Sequence, residues 1–145
     1  METATNRLSS IYVPLRLAYG LVPIVAGADK FFNLLTDWSK YLPAQVASML
    51  PMPADKFMLI VGVIEIVAGL AVLTKFTRLG AYVVMVWLLL ISVNLILGGY
   101  FDVAVRDIVM ALGAYTLGQV AGYRGEAWFP GMAPSQGAPK HAVAR

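Results

Sequence analysis

The chain has 145 residues, of which 59% are hydrophobic and only 13% charged, with a formal net charge of +3. Soluble domains carry roughly 25% charged residues, so this composition cannot cover a water-facing surface, and a lipid bilayer as the surrounding partner removes the difficulty. The basic residues form no run or stripe, which excludes nucleic acid as a partner and fits the positive loops of a membrane protein.

Four long apolar stretches follow in chain order, Ile11–Ala28, Phe57–Leu73, Leu79–Leu97 and Val103–Ala121, each of 17–19 residues. Crossing a bilayer takes about 20 residues at a helical rise of about 1.5 Å, and backbone in lipid must satisfy its own hydrogen bonds. The expected fold class is therefore all-α: an integral membrane four-helix transmembrane bundle.

The first stretch contains Arg16 and two prolines. Ala26-Gly27-Ala28 has the small-residue form of a signal-peptide cleavage site, but Arg16 interrupts the apolar run, so the segment is read as a retained helix. Asp29–Lys56 is too long for a turn. Phe31, Leu34, Leu35, Trp38 and Leu42 recur at helical spacing, with Asn33, Asp37 and Lys40 on another side. That pattern predicts a short amphipathic segment at the outer interface, before Pro43, Pro51 and Pro53 punctuate the chain. The expected transmembrane domain covers residues 1–123. Residues 124–145, rich in Gly, Pro and Ala, are expected to form a disordered tail.

Orientation follows the Lys and Arg residues near the helix ends. Arg7, Lys75, Arg78, Arg124, Lys140 and Arg145 fall on the side of both termini, and Lys30, Lys40, Lys56 and Arg106 on the other. This bias places both termini in the cytoplasm.

Charges inside a bilayer are the informative exceptions, each costing about 2.5–3.5 kcal/mol at its centre on insertion scales. Glu65 stands at the middle of the second stretch, between Gly62 and Gly69, a small-residue face that lets another helix approach. Arg16, which shares a helix face with Gly20, Gly27 and Lys30, lies roughly 5 Å from the midplane by helical rise and is the expected partner of Glu65. A second cluster gathers near the outer helix ends: Asp29, Lys30, Asn94, Asp102, Arg106 and Asp107. Asp102 and Arg106 are spaced to pair along one face, leaving Asp107 to meet another helix. In one bundle these groups and Glu65 are expected to line a polar cavity opening outward. Gly118-x-x-x-Gly122 is a small-residue pair that packs helices within the chain or, in a homo-oligomer, between chains.

The absence of Cys excludes disulfides, thiolate catalysis and iron–sulfur clusters, and the single His, His141, stands in the tail, so no metal site is expected. No phosphate-binding loop, dinucleotide fingerprint or catalytic triad is present.

Leu15-Arg16-Leu17-Ala18-Tyr19-Gly20, continued through Gly27 to Lys30-Phe31, is similar to the opening of the DoxX family of four-helix membrane proteins. Glu65 between Gly62 and Gly69 resembles that family's acidic second helix, and Phe101–Ala121, with Arg106-Asp107, the start of its last helix. The resemblance implies a bacterial inner-membrane protein serving a redox system. Members are associated with thiosulfate:quinone oxidoreductase and with an oxidative-stress oxidoreductase complex. The resemblance thus implies a quinone-binding membrane subunit with a redox-enzyme partner and no covalent cofactor. Glu65 and Arg16 would hold the quinone headgroup, with Lys30, Asn94, Arg106 and Asp107 as further ligand- or proton-linked candidates. The same charges in an oligomeric transporter or channel, or in a purely structural partner, are the competing expectations.

Overall fold

The structure is a computed structural model that describes residues 2–132. Its long helices are α1 (Glu2–Asp29), α3 (Ala54–Leu73), α4 (Thr77–Leu97) and α5 (Phe101–Tyr123). The short helix α2 (Ala44–Met49) lies between α1 and α3. There is no strand among the described residues. The four long helices are long and apolar enough to span a membrane, so the chain is a multi-pass membrane protein. An even number of spans leaves both termini at one end of the bundle, called here the terminal end. The α1–α3 and α4–α5 connections lie at the opposite loop end.

α1 continues through Pro14 and Pro23, each of which removes one backbone donor from the helix. It packs antiparallel on α3 through glycines spaced seven apart on both helices. A Cβ added at Gly27 would lie 2.5 Å from the Gly62 carbonyl oxygen, and one added at Gly62 would lie 2.6 Å from that of Gly27. Two turns along, a Cβ added at Gly69 would meet the Gly20 carbonyl oxygen, and one added at Gly20 the Leu73 side chain. Backbones this close leave no room for a side chain, which is the small-residue packing that membrane helices use in place of hydrophobic exclusion.

α5 presents Ala104, Asp107, Ala111, Ala114, Gly118 and Ala121 as a buried row, alternating three and four residues in a seam of coiled-coil type. It faces Ala81, Val84 and Leu88 of α4, also buried. The glycines of the Gly118-x-x-x-Gly122 pair close within the chain, Gly118 against the Tyr82 ring and Gly122 against Arg78.

The segment after α1 departs from the expected helix on Phe31–Leu42. Only Trp38–Tyr41 is helical there, as a single 3-10 turn. The cause is Asp29. Its carboxylate accepts the backbone N–H groups of Leu34 (3.0 Å) and Leu35 (3.1 Å), and Asn33 takes a left-handed φ of 51°. Donors that a helix would have used internally are thus turned back onto the end of α1. Asp37 caps the 3-10 turn by accepting from the Ser39 backbone and hydroxyl, which hold its carboxyl below the ordinary range.

Tyr123 closes α5 where the sequence placed the end of the membrane domain. The first part of the expected tail, however, folds back onto the bundle. Arg124 donates to the Ser9 hydroxyl at 2.8 Å, and the Trp128 ring lies 5.2 Å from that of Tyr82, with the Arg78 guanidinium 4.2 Å from its centre. Aromatic and guanidinium surfaces thus give residues 124–132 a docking face that a Gly/Pro-rich composition conceals. Residues 133–145, with His141, lie outside the described residues.

Candidate functional site

Glu65 is the partner of Lys30, not of Arg16. Lys30 Nζ lies 2.6 Å from Glu65 Oε2, and the two side chains retain only 4% and 8% of their exposure. The glycine contacts create this burial: with Gly27 seated on Gly62, Lys30 and Glu65 are pressed into the same interhelical seam. The ammonium also sits 3.7 Å from the centre of the Trp38 ring, a cation–π contact. Trp38 is fixed in turn, because its indole N–H donates to Asp29 Oδ2 at 2.8 Å. The Asp29 turn therefore places Trp38 over Lys30, and Lys30 is held against Glu65.

Trp87 completes the other side. Its indole nitrogen is buried and faces the Glu65 carboxyl at the margin of hydrogen-bond geometry. Asp107 is near enough to act electrostatically on Glu65. The centre thus combines an ammonium, a carboxylate and an indole N–H donor within the bundle.

The other sequence candidates separate from this centre. Arg16 caps α3: Nε donates to the Val72 carbonyl (3.1 Å), and Nη2 to those of Leu73 (2.7 Å) and Thr74 (2.8 Å). These are the orphan acceptors at a helix C-terminus, where the macrodipole also favours a cation. Asn94 donates to the Tyr41 carbonyl at 2.8 Å and ties the 3-10 turn to α4. Arg106 does not pair with Asp102; its Nε and Nη2 both lie 3.0 Å from Asp107 Oδ1. Asp107 is buried and Asp102 exposed, and a buried carboxylate needs the countercharge more. The expected single cavity is thus replaced by one buried ion pair, Lys30–Glu65, a second pair whose Arg106 side chain stays exposed, and a loop anchor. Among the described residues, no group of acidic, His or Cys side chains could hold a metal.

The DoxX family model matches residues 11–102, well over half of the chain. The chain belongs to the DoxX family. The match covers Arg16, Lys30, Glu65 and Asn94 and stops at the start of α5, before Arg106 and Asp107. No curated protein and no solved structure matches the chain.

Sequence reasoning passed over Trp38 and Trp87, which composition explains equally well as interfacial or packing residues. Lys30 carried a usable signal, since it shares the α1 face of Gly20 and Gly27.

Proposed function

We propose that this DoxX-family protein is a membrane subunit of a quinone-linked redox system, with the Lys30–Glu65–Trp87 centre as the contact for the quinone headgroup. The buried Lys30–Glu65 ion pair, with the Trp87 indole N–H facing its carboxylate, carries the reading. A quinone presents carbonyl oxygens that accept hydrogen bonds, and its reduced form presents hydroxyls that donate. Trp87 and Lys30 offer donors and Glu65 an acceptor, so both forms find complementary groups. When bound, a quinone supplies electron and proton carriage within the lipid phase. This chain's residues orient the headgroup and hold a proton at Glu65. Arg16, committed to the α3 carbonyls, is not part of the contact.

The test is the quinone content of protein extracted in mild detergent. Wild type is expected to carry quinone, with less in Glu65→Gln and Trp87→Phe. A wild-type preparation free of quinone would sink the proposal. Variants that lose stability but keep full quinone content would reduce the centre to a structural lock.

A further inference from the structure

A cavity of about 370 Å³ opens at the terminal end of the bundle, between the helices and the returning segment 124–132. Its size falls within the range of small-molecule sites. On the bundle side it is lined by Tyr12 and Arg16 of α1 and by Lys75 of the α3–α4 turn. On the other side it is lined by Glu126, Phe129 and Pro130.

The charges across this gap are not closed on one another. Arg16 spends Nε and Nη2 on the α3 carbonyls, and its Nη1 makes no hydrogen bond to the described residues. Lys75 has no carboxylate at ion-pair distance among the described residues, and the nearest cation to Glu126 is Arg124, at a loose 3.9 Å. A simple anion would be opposed by Glu126 and a simple cation by Arg16 and Lys75. A molecule carrying both signs satisfies the whole lining.

Position narrows the class. The cavity adjoins the α3–α4 turn, where two apolar spans end and the headgroup layer of a bilayer begins. Val13 and Leu17, which neighbour Tyr12 and Arg16 on α1, are exposed and give acyl chains an apolar path from the mouth. We infer that this cavity seats the headgroup of an aminophospholipid, with its phosphate on Lys75 and the free edge of Arg16 and its primary ammonium on Glu126. The occupant is separate from any ligand of the Lys30–Glu65 centre.

Arg16 holds the end of α3, so its replacement risks the fold. Lys75→Met and Glu126→Gln change only side chains at the cavity and are the variants to use, with thermal unfolding in detergent as the check that each is folded. Full-length protein is titrated with phosphatidylethanolamine or phosphatidylglycerol and retained lipid is read by native mass spectrometry. Wild type should prefer phosphatidylethanolamine by about tenfold, the discrimination expected of one charge-assisted hydrogen bond. Glu126→Gln should abolish that preference, and Lys75→Met should lower retention of both lipids. Equal retention of the two lipids by wild type, or unchanged behaviour in both variants, overturns the inference. Displacement of the lipid by soluble O-phosphoethanolamine at equal concentration would overturn the lipid as source and assign the cavity to a free zwitterion.

Discussion

Helical side chains lean toward the start of their own helix, and that lean decides which cation meets Glu65. Lys30 follows the last residue of α1 and leans back into the bundle, reaching the Ala26 carbonyl at 3.5 Å as well as Glu65. Glu65 leans the opposite way along the antiparallel α3, so the two converge. Arg16 leans toward the terminal end, away from Glu65 and onto the last carbonyls of α3. Distance from the midplane favoured Arg16 in the sequence; the register set by Gly27 on Gly62, together with direction, favours Lys30. Breaking a buried pair from one side leaves an uncompensated charge, worth about 3–5 kcal/mol. Lys30→Met and Glu65→Gln should each lose stability on that scale, and the double variant should recover most of it, as read by thermal unfolding in detergent. Equal losses in the single and double variants would mean that the pair is not what holds the site. Arg16→Leu should cost about 1.5–3 kcal/mol for charge-assisted bonds to carbonyls. Its loss should appear as faster amide exchange at Val72–Thr74, with the Glu65 region unchanged.

Among the elements, the α1–α3 pair is the most tightly specified, and it was the most legible. Gly20 and Gly27 on one helix and Gly62 and Gly69 on the other are visible in the sequence as matching small-residue faces. What composition could not show was the loop. Its hydrophobic spacing reads as a helix, but one buried carboxylate, Asp29, diverts the backbone donors that such a helix requires. Side-chain to backbone hydrogen bonding of this kind leaves no periodic trace. The docked segment after Tyr123 escaped for a related reason, since its anchors, Trp128 and Arg124, are single residues in a small-residue background. Glycine substitutions separate tight from tolerant contacts. Gly27→Ala drives a methyl into the Gly62 carbonyl and should cost about 1–3 kcal/mol as overpacking. In Gly122→Ala the new methyl meets the flexible Arg78 guanidinium at 3.3 Å, and the effect should be much smaller. Comparable unfolding temperatures for the two variants would refute the close α1–α3 contact.

At the scale of the whole molecule, four apolar helices enclose the Lys30–Glu65 pair, and Lys and Arg near helix ends bias the direction of insertion. The proposed topology places both termini in the cytoplasm. A fluorescent-protein fusion after Arg145 should therefore fluoresce, and alkaline phosphatase inserted in the α1–α3 connection should be active. The reverse pattern would invert the proposal. The seam between α1 and α3 has a consequence for how the chain is made. Lys30 precedes Glu65 in the chain, so its countercharge arrives only when α3 has been synthesised. Side-by-side entry of the two helices as a hairpin then neutralises both residues in one step. If the helices meet one turn out of register, two lone charges are stranded in lipid and the glycine backbones collide with side chains. The glycine contacts and the ion pair thus specify the same register, so one correct docking of α1 on α3 satisfies both.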